Sequence, residues 1–180
     1  MLELRLSGRS EKVLVSLGSN IEPERNFEFA VKELSNRFSV IATSSVIRTP
    51  PLGGPAQDDY LNCVIEFCTD LSPYMLKYGI LRKIEERSGR KRGKERYAPR
   101  TLDLDILMYG TITRRNRLLH IPDPDLYNRH FLICLIAEIE PEMPIPDTGK
   151  DAGNLAAERG CELNVDEKMT DRIRRIIHSV

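Results

Sequence analysis

An α+β fold is what this sequence predicts. Four stretches, at residues 12–17, 39–48, 60–69 and 101–108, are written as strands, by alternation or by β-branched runs. Two others, 23–38 and 73–88, repeat apolar residues at the 3.6-residue period of a helix. Their order is strand, helix, strand, strand, helix, strand. That is the ferredoxin-like βαββαβ arrangement, an antiparallel sheet with helices on one face, here with additional C-terminal helices.

Residues 1–11 read as an N-terminal tail, because Gly8 and the polar run after it break the alternation of Leu2, Leu4 and Leu6. Residues 12–17, KVLVSL, form a buried strand that stops at the turn-forming Gly18, Ser19 and Asn20. Pro23 suits a first helical turn, and Phe27, Ala30, Val31, Leu34 and Phe38 carry that helix's apolar stripe. Residues 39–48, rich in Val, Ile and Thr, are a second strand. Residues 49–59, TPPLGGPAQDD, must be a loop, since their prolines and glycines suit neither helix nor central strand. A loop of this length in a compact domain is often functional, and its stiff Pro-Pro backbone suits the edge of a flat heterocycle. In residues 60–69, Tyr60, Asn62, Val64, Glu66 and Cys68 share one face, and Leu61, Cys63, Ile65 and Phe67 the core face. Ser72 caps the second helix, Pro73 opens it and Gly89 ends it. A short helix is expected from Phe131 to Glu140 and an amphipathic one in the last fifteen residues. The domain reading is 12–146 as the functional unit, with 147–180 as an extension packed on it.

Bulk properties exclude several classes. The 180 residues carry no net charge, so no general attraction to nucleic acid or anionic membrane exists. No apolar run approaches the ~18 residues that span a bilayer. The four cysteines, at 63, 68, 134 and 161, show no ligand-like spacing. They are expected to be free thiols in a reducing compartment, which places the chain in the cytoplasm.

Chemistry concentrates around residues 97–109, YAPRTLDLDILMY. Leu102, Leu104 and Ile106 fall on one strand face, and Asp103, Asp105 and Leu107 on the other. Two carboxylates spaced by two residues lie roughly 7 Å apart along a strand, and their repulsion is relieved by a hard divalent cation. Alone, the pair reads equally well as the wet side of an edge strand. The run before it favours the cation: residues 82–100 hold nine basic residues against three acidic, a local net of +6. An Arg-rich, Gly-punctuated loop feeding paired carboxylates is what magnesium plus polyphosphate requires.

With LGSN at 17–20, RTPPLG at 48–53, DYLN at 59–62 and RYAPRTLDLDIL at 96–107, the chain resembles the 6-hydroxymethyl-7,8-dihydropterin pyrophosphokinases, from about Val13 to Pro146. The last motif is the specific one. The resemblance implies an ATP-dependent diphosphotransferase of folate biosynthesis that passes pyrophosphate to a pterin alcohol and releases AMP. It implies two magnesium ions on Asp103 and Asp105, with Arg90, Arg92 and Arg100 on the phosphates or the transferring group. It further implies that Tyr60 and Phe131 sandwich the pterin, and that Asn62, Thr49, Pro51, Leu52 and Gly53 bind around its edge. Glu85, Arg92, Tyr97, Arg100, Ile106 and Arg129 would line the nucleotide side. A monomer with no nucleic-acid or membrane partner is expected.

Two departures from the family pattern stand out. Tyr97 replaces a usual Trp, and Pro122-Asp123-Pro124 replaces Pro-His-Pro, putting a carboxylate where an imidazole would approach phosphate. The alternatives are a member that has lost activity through Asp123 and retains binding, a nucleic-acid-binding module of the same element order, and another phosphotransferase. Two aspartates on the fourth strand argue against nucleic acid, and the lack of a G-x-x-x-x-G-K-[ST] loop against a P-loop kinase.

Overall fold

A five-stranded antiparallel sheet runs through the middle of the molecule, in a computed structural model that describes residues 10–52, 56–91, 93, 95 and 98–180. Its strands are β1 (Glu11–Ser19), β2 (Val40–Thr43), β3 (Ile47–Thr49), β4 (Tyr60–Thr69) and β5 (Asp103–Tyr109). The order is β2-β4-β1-β5, with β3 also paired to β4. The central β1 and β4 are paired along their length, from Glu11 opposite Thr69 to Ser19 opposite Leu61. Strand β1 therefore continues through Gly18 and Ser19, where the sequence suggests a turn, because both residues find partners on β4.

One face of the sheet packs on α1 (Pro23–Ser35), on the helical run Met75–Leu81 continued by α2 (Arg82–Arg87), and on α6 (Glu167–His178). Val13, Val15, Leu17, Leu61, Cys63, Ile65, Phe67, Leu102, Leu104 and Ile106 meet Phe27, Leu34, Leu81, Ile84, Met169 and Ile173 there. This is the core face that alternation predicts for the third and fourth strands. The start of the second helix also follows the sequence. The Ser72 hydroxyl accepts from the amide of Met75 at 3.3 Å, and Gly89 closes the helix with φ 84°.

The opposite face is covered too, so helices lie on both faces rather than on one. Helices α3 (Asp125–Asn128), α4 (His130–Ile139) and α5 (Ala152–Arg159) build a second core on Leu14, Ile47, Val64, Leu107 and Met108. The cause is in the sequence of α4, HFLICLIAEI, which is apolar nearly all round and must be buried. The expected single strand over 39–48 is two, because Ser44 keeps only half of its backbone ladder, its amide donating to the Val64 carbonyl at 3.0 Å. Its hydroxyl accepts from the amide of Val64 at 2.9 Å, and a register shift separates Val40 from Ala42.

The C-terminal residues lie along β3. The amide of Arg48 donates to the carbonyl of Asn164 (2.8 Å), that of Asp166 to Val46 (2.8 Å), and Ile47 bridges Val165. Asp166 also caps α6 through the amide of Met169 and pairs with the Arg48 guanidinium at 2.7 Å. The cysteines depart from expectation. Cys134 and Cys161 form a disulfide, since α4 and the end of α5 bring their Cα atoms to 5.8 Å, and Cys63 and Cys68 alone are free thiols.

Candidate active site

On the face covered by α4, the side chains of β1 become steadily smaller along the strand: Leu14, Ser16, Gly18. Leu14 is packed in the second core, whereas Ser16 and Gly18 border a cavity of about 400 Å³. Register then fixes the cavity floor. Asn62, Gly18 and Asp103 lie side by side across three strands, and Val64, Ser16 and Asp105 form the next row. A Cβ on Gly18 would sit 3.3 Å from the Asn62 amide oxygen and 3.9 Å from the Asp103 Cβ. The glycine is what lets an amide and a carboxylate face one space from neighbouring strands.

The Ser19-Asn20 pair ties both flanking loops to this floor. Ser19 Oγ donates to the carbonyl of Thr101 (2.6 Å), and Asn20 Oδ1 accepts from the amide of Arg100 (2.7 Å). Asn20 Nδ2 reaches Gln57 Oε1 (2.8 Å) and the carbonyl of Asp58 (3.1 Å). The last residue of β1 and the one after it thus anchor the exit of the basic loop and the end of the Pro-rich loop.

Asp103 is gripped by two guanidinium groups, Arg100 at one oxygen and Arg90 at the other, the latter at 3.0 Å. Asp105 pairs with Lys77 at 2.5 Å. Lys77 reaches around the outer edge of β5, where its ammonium also donates to the carbonyl of Leu104 (2.6 Å). Glu85, fully buried, accepts from the Leu104 amide (2.9 Å), and Arg90 donates to the Leu102 carbonyl (2.7 Å). Burial resists ionisation of Asp105, but Lys77, Arg100 and Arg90 outweigh it and hold its carboxyl below the usual range. Asp123 faces the same space with the opposite shift. Burial first, and then the charge of Asp105, pushes its carboxyl up to about 6, against a hydrogen bond from the Asp125 amide.

Aromatic rings approach from two layers, Tyr60 at the start of β4 and Phe131 in the first turn of α4. Tyr60 is steadied by its hydroxyl at 3.4 Å from the Ala98 carbonyl, and burial pushes its phenol up. Asn62 donates to Thr49 Oγ1 at 2.8 Å. That leaves its carbonyl oxygen, beside Gly18, as an acceptor for a ligand.

Of the residues singled out from sequence, Thr49, Leu52, Tyr60, Asn62, Arg100, Asp103, Asp105, Arg129 and Phe131 line this one cavity. Arg90 and Glu85 stand behind β5 as supports, and the Ile106 side chain is in the core. Pro51 is next to the lining without being part of it. Gly53, Arg92 and Tyr97 lie outside the described residues. Sequence reasoning missed Lys77. The signal was there: Lys77 precedes Leu81 and Ile84 by four and seven residues, on the apolar stripe, where a charge must find a partner.

Comparison with known proteins bears on this arrangement. Residues 14–141 match the model of the 7,8-dihydro-6-hydroxymethylpterin-pyrophosphokinase (HPPK) family. The chain is 39% identical over 137 residues to the 2-amino-4-hydroxy-6-hydroxymethyldihydropteridine pyrophosphokinase of Haemophilus influenzae, covering 74% of this chain and 84% of that one. Against the protein of the same name from Bacillus subtilis, identity is 37% over 128 residues, covering 69% and 75%. A crystal structure of Plasmodium falciparum HPPK-DHPS superposes with a TM-score of 0.68 at 12% identity, over 88% of this chain. This chain spans 45% of that longer one, and at such identity the likeness concerns the fold.

Proposed function

The chain belongs to the 7,8-dihydro-6-hydroxymethylpterin-pyrophosphokinase family, and from that premise we infer its reaction and the part each residue plays. It transfers pyrophosphate from ATP to the hydroxymethyl group of 6-hydroxymethyl-7,8-dihydropterin, in folate biosynthesis, and releases AMP. Relatives of this similarity that bear the pyrophosphokinase name do not favour an inactive reading based on Asp123.

The observation that supports the assignment of roles is the cavity itself. It joins a pair of aromatic rings and an amide at one end to paired carboxylates and a guanidinium at the other. The flat pterin enters between Tyr60 and Phe131, with Asn62 and the 49–52 backbone at its edge. Its hydroxyl oxygen attacks the β-phosphorus of ATP. The bond from that phosphorus to the oxygen of the α-phosphate breaks, and AMP leaves. Arg100, now paired with Asp103, turns its N–H donors to the phosphoryl oxygens as charge builds there, while Arg90 holds Asp103 and the Leu102 carbonyl from behind β5. Arg129, paired with Asp125 at the cavity rim, is assigned to the nucleotide; Arg92 and Tyr97, outside the described residues, are assigned to it by the family pattern alone.

Asp103 and Asp105 fit magnesium: both offer hard oxygen donors to the cavity, and Asp105 is held in its ionised form. Such ions would supply positive charge to offset the charge building on the phosphate oxygens. Asp103 and Asp105 would hold the ions, and Arg100 beside them lines the same cavity and would face the phosphate.

The strand order supports a ferredoxin-like core over 12–146, with 147–180 as its packed extension. We place the enzyme, as a monomer, in the cytoplasm. The test is direct: incubate the protein with ATP, magnesium and the pterin alcohol, and separate the nucleotides. AMP with a pterin diphosphate is the expected result. ADP, or no nucleotide product, overturns the reading.

A further inference from the structure

We propose that, once reduced, this chain holds one soft divalent cation, zinc in character, through Cys134, Cys161 and His130. The three ligand atoms lie within 4.8 Å of one another. His130 and Cys134 are one turn apart on α4, so their side chains share a face of that helix. The His130 Nε2 is 3.8 Å from the Cys134 sulfur. In a tetrahedral zinc centre, Zn–S of about 2.3 Å and Zn–N of about 2.0 Å set neighbouring sulfur and nitrogen ligands ~3.5 Å apart. The pair on α4 already stands close to that spacing. Cys161 arrives from the other side, just after Gly160, whose φ of 70° turns the chain back toward α4.

The donor set decides which cation fits. Two thiolates and an imidazole are soft to borderline ligands, suited to zinc and unsuited to magnesium. Cys134 is buried and fixes the site, while Cys161 and His130 are exposed and give the cation a path from solvent. His130 Nε2 now lies 2.7 Å from the Gly160 carbonyl, and coordination through this nitrogen exchanges that contact for a metal bond. The exposed carbonyl can turn to water in its place.

Disulfide and metal are alternatives at one place. Two molecules of a thiol reductant supply two electrons, the Cys134–Cys161 bond breaks, and the reductant leaves as its own disulfide. Both cysteines emerge as thiols, and the entering cation displaces their two protons. Either crosslink joins α4 to Cys161, three residues before the Asn164–Asp166 segment that lies along β3. Helix α4 carries Phe131, and β3 ends at Thr49, both in the cavity wall. The cation therefore keeps the cavity braced when the disulfide is gone.

Cobalt(II) is the probe, because tetrahedral thiolate ligation gives it intense absorption that oxygen ligands do not. Full-length protein is reduced with a phosphine, freed of it without air, and titrated beside the oxidised form. The reduced protein is expected to take up one cobalt with thiolate-to-metal bands, and the oxidised protein to show none. Cys161→Ser, a change at an exposed position, removes the bands. His130→Ala weakens uptake by on the order of 10-fold or more. Cys68→Ser leaves uptake unchanged. Absence of the bands in the reduced protein overturns the proposal, as does undiminished uptake by both the Cys161 and the His130 variants.

Discussion

The two faces of β1 come from one short run of sequence and do opposite work. On one face, Val13, Val15 and Leu17 are all large, and helices α1, α2 and α6 seal them completely. On the other, Leu14 is sealed by α4, but Ser16 and Gly18 leave a space that the helix does not fill. The same taper appears on the neighbouring strands. Leu107 gives way to Asp105 and Asp103 on β5, and Val64 to Asn62 and Tyr60 on β4. Close packing makes a sheet face rigid, and a change of side-chain size and polarity at one end of that face makes a site. The closed face holds the floor of the open one in place.

Substitutions can separate the two faces. Asp105→Asn, on the open face, is expected to lower the rate of AMP release on the order of 10³-fold, about 4 kcal/mol of barrier. The assay should be run well below the unfolding midpoint, so that the loss is read in kcat. Retained activity would remove the carboxylate pair from the chemistry. Phe67→Ala, on the closed face, deletes a fully buried ring stacked 4.4 Å from Phe38. It should cost about 3 to 4 kcal/mol in denaturant unfolding, with kcat per folded molecule unchanged.

Asp123 gives a smaller effect with a pH signature. Its carboxyl is raised to about 6 in the folded protein, so the folded state holds this proton more tightly than the unfolded state. Stability is therefore fully present below the ordinary carboxylate range of about 4 and is lost as pH rises from there through about 6. In metal-free protein, Asp123→Asn should gain on the order of 1–2 kcal/mol above that window and nothing below it. Urea melts at pH 4.5 and 7.5 check this, and equal effects at both would refute it. Asp123→His should tighten ATP binding, measured by calorimetry, since it replaces a carboxylate that repels phosphate. Gly18→Ala is the mildest test. Its methyl must press on the Asn62 amide oxygen, so the pterin KM should rise roughly tenfold, about 1.4 kcal/mol, with little change in the ATP KM.

Much of this was readable from the residues alone, where period and polarity agreed. The alternation of β4 and β5 assigned Leu61, Cys63, Leu102 and Leu104 to a core and Asn62, Asp103 and Asp105 to the other side. What escaped was set by tertiary partners. Gly18 and Ser19 looked like a turn, because residues poor in strand propensity gain their place in β1 only from β4 and β5. Helix α5, AGNLAAER, has a weak apolar pattern and is held by packing on α4 and by the Asp151 cap on the Asn154 amide. Cys134 and Cys161 are separated by 27 residues with no motif between them, so their meeting depends on how α5 folds back. Lys77 was legible but passed over, since its partner is far away in sequence.

The segment from Asn164 to Asp166 also shapes how one molecule treats another. By taking up the Arg48 amide and the Val46 carbonyl, it covers part of the β3 margin on which a second copy could add a strand. A chain cut short before residue 161 would expose that margin, and its first fault would be clumping in concentrated solution rather than a slower reaction.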